Sequence, residues 1–173
     1  MTIAIADRQR FGRRAGHAAD AVRAKLCALE SGDTHVLESV SLSHSGCEIE
    51  HLVIGPAGIF TVAVHDDRAH EIRVDHYGMT LDGVAVPYLR QAKFEAEQVA
   101  RVLGNHLIFD VPVYACLVLT GSHASQVHYD RRPSGVSVLE KADVPRWFRR
   151  QPIALDADHT RAVYEIALQL PSA

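Results

Sequence analysis

The sequence predicts an α/β fold in which helices pack against a mixed sheet. Residues 34–65 carry strand signals folded back on a Gly-Pro-Ala-Gly turn. An amphipathic helical segment follows, and then a nearly continuous apolar run, Val111–Leu119, suited to a strand covered on both faces. A hairpin followed by a helix and a central strand implies a mixed sheet with helices against it.

The elements follow in order. Ala15, Ala18, Ala19, Val22, Leu26 and Leu29 recur at helical spacing, and the helix is expected to end at Ser31-Gly32. Thr34–Leu42 reads as a first strand, Ser43–Gly46 as a turn, and Glu48–Ile54 as a second strand entered at Cys47. Gly55-Pro56-Ala57-Gly58 places Pro second and Gly fourth, the type I pattern, so Ile59–His65 returns antiparallel. Ile72–Val74 and the segments around Asp82-Gly83 suggest a further small meander. Leu89, Ala92, Ala96, Val99, Ala100 and Leu103 then mark a second helix, stopped by Gly104. Beyond the central strand come a short strand at Val136–Leu139, a short helix at Val144–Arg150, and a last helix capped by Asp156 and running through Leu170.

The bulk numbers suit one domain over residues 1–173, long enough to bury a core without disulfides or metals. A net charge of −3 supplies no global basic field for nucleic acid, so such binding would need a local patch. No apolar stretch approaches the roughly 20 residues that span a bilayer, and the first residues lack the order of a signal peptide. Cys27, Cys47 and Cys116 are odd in number and widely spaced, as expected of thiols in a reducing cytoplasm. The eleven histidines show no CxxC, HxxxH or HExxH spacing and so no zinc pattern.

Ile49-Glu-His-Leu-Val-Ile-Gly-Pro-Ala-Gly-Ile-Phe-Thr-Val-Ala-Val-His65 resembles the central signature of the nuclease-related (NERD) family. That signature is an Ile-Asp-His hairpin with a Gly-Pro-x-Gly turn, followed by a strand ending in acid-x-Lys. The first helix, the Arg90-Gln91 helix and the segment 138–151 look like further parts of the family. The resemblance implies the αβββαβ core of restriction-endonuclease-like, PD-(D/E)xK proteins, flanked by helices. It also implies metal-dependent phosphodiester hydrolysis, in which a divalent cation polarises the phosphate and generates a nucleophilic water. Such a site needs converging carboxylates for Mg²⁺ or Mn²⁺ and a Lys on the same strand face to stabilise developing charge.

Carried onto this chain, the Asp position is Glu50, the acid position is Ala63, and the Lys position is His65. Histidine is only partly charged near neutrality, at an ordinary pKa of ~6.5. The first helix's Glu position falls on Ala19, with Asp20 about 100° round the helix, while Gln91 keeps the family's Gln. Two carboxylates and the lysine are therefore replaced, which predicts loss of catalysis and no cofactor. The expected role is then a nucleic-acid-binding or protein-interaction module, or a structural partner of an active protein. The alternative is an active nuclease with a rearranged site using Glu50, His65, Gln91 and Asp67. Asp67 shares a strand face with Ala63 and His65 while Asp66 points away, so Glu50 and Asp67 would hold Mg²⁺ or Mn²⁺.

Arg146, Arg149 and Arg150 surround Trp147-Phe148 and form the only basic-aromatic concentration, with Arg131-Arg132 upstream. They are the candidate nucleic-acid contacts. The competing expectation is an amphipathic helix with its rings turned inward. His51 belongs to the hairpin signature but alternates with Glu50, so it is expected to pack or bond structurally.

Overall fold

The computed structural model describes residues 20–42, 47–66, 71–121 and 126–170. Helix α1 covers residues 20–27. The strands β1 (His35–Leu42), β2 (Cys47–Gly55) and β3 (Gly58–His65) follow, then β4 (Ile72–Val74), β5 (Met79–Leu81) and β6 (Val84–Val86). Helix α2 (Tyr88–Gly104) leads to β7 (Val113–Leu119), β8 (Val127–Tyr129) and β9 (Val136–Glu140). Helices α3 (Val144–Phe148) and α4 (Ala157–Ala167) come last. The part of the first helix expected over Ala15–Ala19 lies outside the described residues, and α1 ends at residue 27 rather than at Ser31-Gly32.

The main sheet has the order β1-β2-β3-β7-β9. β1, β2 and β3 run antiparallel in sequence, whereas β3, β7 and β9 run parallel, giving the mixed sheet of a restriction-endonuclease-like α+β fold. The hairpin closes on Gly55 paired with Gly58. Gly58 has φ +113°, and an added Cβ there would lie 3.1 Å from the Pro112 carbonyl and from the Tyr114 ring. Only glycine meets both demands.

Alternation of side chains divides the core between the two sheet faces. Val53, Phe60, Val62, Cys116 and Val118 meet Val22 and Leu26 of α1 and Phe148 of α3 on one face. On the other, Leu52, Ile54 and Ile59 meet Val99 and Leu103 of α2 and Val163 of α4. Ala63, Ala115, Leu117 and Leu119 meet the first half of α2 on that second face. β7 is therefore covered on both sides, as its apolar run predicts. The buried positions of α2, Leu89, Ala92, Ala96, Val99 and Leu103, form one stripe at helical spacing. Asp156 caps α4, its carboxylate accepting the His159 amide at 2.8 Å.

The small meander is part of a second sheet, β6-β5-β4-β8, closed by a strand the sequence did not announce. β8 is three residues, Val127-His128-Tyr129, too short to display a period of two. Helix α3 ends at Phe148 rather than Arg150, and α4 at Ala167 rather than Leu170. Both ends lapse into turns, the usual place for boundaries to shift.

Candidate functional site

The β2–β3 hairpin brings three of the expected positions to one place. Glu50 lies near the start of β2, and Ala63 and His65 lie at the end of β3. Gln91 reaches the same spot from the first turn of α2. Together with Cys47, Glu48, Val64, Phe94 and Glu95 they line a cleft of about 360 Å³. Asp67 and Ala19 lie outside the described residues.

Glu50 is half-buried and anchored by one oxygen, Oε2, which accepts the Val64 amide at 2.8 Å. Burial holds its carboxyl above the ordinary range, with the Glu48 charge adding to the effect and the Val64 hydrogen bond opposing it. Glu95 sits on α2 four residues after Gln91 and therefore on the same helical face. Burial first, and then the Glu50 charge, push its carboxyl up to about 7. Beyond Val64 on Oε2, no described donor reaches either carboxylate.

His65 stacks its ring on Tyr88, the first residue of α2, with centroids 3.8 Å apart and planes 10° from parallel. The His65 carbonyl is also held, accepting from the Thr120 amide at 3.0 Å. Asp66 turns away from the cleft, as alternation predicts, its carboxylate accepting from the Thr120 hydroxyl at 3.1 Å. His65 thus lays its ring against an aromatic wall. Ala63 contributes only a methyl group to the cleft lining. Across the sheet edge, Ser39 of β1 has φ +49° at the register position facing Glu50, between the pairs Glu38–His51 and Val40–Ile49.

The described residues do not fit the metal centre of the resemblance. Mg²⁺ wants several oxygen ligands in near-octahedral array. The cleft offers Glu48 and Glu50 from the strand and Glu95 from the helix, yet among the described residues no group of three His, Cys, Asp or Glu side chains converges to hold a metal.

His51 is 4% exposed on β2, paired in register with Glu38, and both its ring nitrogens lack a hydrogen-bond partner among the described residues. Of the two roles expected for it, packing is the one adopted. Burial lowers its pKa, the Arg23 charge also lowers it, and Glu38 opposes both.

The basic-aromatic segment is elsewhere. Phe148 is buried, and Phe60 packs edge-on against both Trp147 and Phe148, so the rings face inward while Arg146, Arg149 and Arg150 stay exposed. Arg149 lines a separate pocket of about 200 Å³ with Gly55, Pro56 and Ala57 at the turn of the hairpin. Gly55 lies five residues further along the strand than Glu50, roughly 17 Å, and α3 packs on the opposite sheet face from α2.

Sequence reasoning missed Glu95, Phe94 and Tyr88. The spacing from Gln91 to Glu95 was the available signal for the first, because it places both on one helical face. Nothing in the sequence marks the Tyr88–His65 stack, which depends on where α2 crosses the sheet.

Comparison with known proteins returns one finding. The family model described as nuclease-related domain matches residues 14–120, more than half of the chain. No curated protein and no solved structure matches. The matched stretch contains the hairpin, α2 and the whole cleft described above, and on it the chain belongs to the nuclease-related domain family.

Proposed function

We propose that this nuclease-related domain has lost phosphodiester hydrolysis and serves as a nucleic-acid-binding or protein-interaction module in the cytoplasm. The observation that carries the reading is Ala63, which lines the cleft beside Glu50, His65 and Gln91 at the position where the family pattern has an acid. A methyl group cannot ligate a cation, and His65 against Tyr88 replaces the lysine charge. If nucleic acid is bound, Arg146, Arg149 and Arg150 supply the phosphate contacts, on a face remote from the cleft. Incubating the full chain with DNA and RNA in Mg²⁺ and in Mn²⁺ tests the reading. No cleavage is expected, and cleavage abolished by Glu50→Ala would overturn it.

A second reading has one observation in its favour. Glu95 brings a carboxylate to Glu50 from the helix, so an active nuclease with a rearranged site would pair Glu50 of β2 with Glu95 of α2. Calorimetric titration with Mn²⁺ separates the two. Tight binding lost in both Glu50→Gln and Glu95→Gln supports the rearranged site, and absence of binding removes it.

A further inference from the structure

The cleft carries two features that a lost nuclease site does not need. Its described lining holds three glutamates, Glu48, Glu50 and Glu95, and no lysine or arginine. Phe94, 48% exposed, forms part of the same wall. An acidic cavity repels bare phosphate, so electrostatics points to a cationic occupant. A half-exposed phenyl ring serves no purpose for a hydrated metal ion but offers a face to a flat organic cation. Among the described residues Glu50 is also held through Oε2 alone, leaving Oε1 to accept from a guest.

We infer that the cleft receives an arginine side chain from a basic segment of a partner protein. The guanidinium is planar, permanently charged and weakly hydrated, so it stacks on Phe94 while its fork of N–H donors meets Glu50 and Glu95. A cavity of about 360 Å³ accepts one long side chain rather than a folded surface, so the partner presents an extended or loop segment. This assignment rests on the cleft being non-catalytic, and it names what the protein-interaction module binds.

The test uses the full ¹⁵N-labelled chain and two capped peptides, Gly-Ser-Arg-Gly-Arg-Gly and the same peptide with both arginines replaced by citrulline, which keeps the shape without the charge. Saturable amide shifts at Glu50, Val64, Gln91 and Glu95 are expected with the arginine peptide alone. Glu95→Gln and Phe94→Ala should each weaken binding about tenfold, whereas Glu165→Gln, an exposed carboxylate on α4, should leave it unchanged. Absence of binding, equal binding of the citrulline peptide, or indifference to both cleft variants overturns the assignment. So does a single-stranded oligonucleotide that moves the same amides. Metal-dependent cleavage ends the non-catalytic reading in its own assay, so the two failures are told apart.

Discussion

The two ends of the β2–β3 hairpin are built on different principles. At the turn end, Gly55 pairs with Gly58, and Gly58 lies under the Pro112 carbonyl and the Tyr114 ring with no room for a side chain. At the open end, Glu50, Ala63 and His65 line the cleft, and their neighbours across it are side chains of α2. The turn answers to backbone sterics and the open end to charge. One hairpin can therefore keep its shape while its chemistry is replaced, because different residues carry the two properties.

The contrast can be broken from the turn end first. Gly58→Ala forces a Cβ into a backbone carbonyl at a φ that L residues avoid, and should cost about 3 kcal/mol in denaturant unfolding. If this variant unfolds like the unsubstituted protein, the turn is not the constraint described. Leu117→Ala, in β7 under α2, should cost a similar amount, about 3 kcal/mol, by leaving a cavity.

Changes at the open end should act more weakly, and with a pH signature. Glu95 binds its proton more tightly in the fold than in the unfolded chain. Its contribution to stability is present below pH 4.5 and is lost as pH rises through about 7. Glu95→Gln should therefore stabilise the protein at pH 8 by about 1 kcal/mol after solvent screening, and do little at pH 4, measured by urea unfolding at both values. A gain of equal size at both would mean that charge is not the cause.

His51 should show the opposite slope. Its folded pKa is depressed below 6.5, so its contribution is present above pH 6.5 and is lost as pH falls through the folded value. His51→Phe should flatten the acid side of the stability profile, and an unchanged profile would rule out His51 as its source. The smallest effect is expected from Ser39→Gly, which relieves the positive φ opposite Glu50 for a gain of about 0.5 kcal/mol. A loss in thermal unfolding would show that the Ser39 side chain contributes more than its backbone costs.

The fold was legible where local chemistry decides it. The turn glycines and the helical stripe of α2 each announce their element, and the apolar run of β7 announces burial on both faces. β8 was not legible because its pairing with β4 is set by tertiary arrangement. The four cleft-lining positions Glu50, Ala63, His65 and Gln91 were singled out through the family resemblance, and the hairpin and α2 bring them to one place. Glu95 and Phe94 were passed over because a nuclease pattern directs attention to strand carboxylates. The exposed Arg146, Arg149 and Arg150 were legible as a cluster, but not their separation from the cleft, which depends on which sheet face α3 covers.

The second sheet has a consequence for the order of folding. β4, β5 and β6 are close in sequence and can pair as soon as they are made, whereas β8 joins β4 in parallel from beyond α2 and β7. Closing that loop costs chain entropy before any contact rewards it. The small sheet is therefore expected to be completed only after α2 and β7 are in place, with β8 closing the connection that carries Gln91 and Glu95. In a hydrogen-exchange experiment β8 amides should open at lower free energy than those of β7, and the helix side of the cleft should loosen with them.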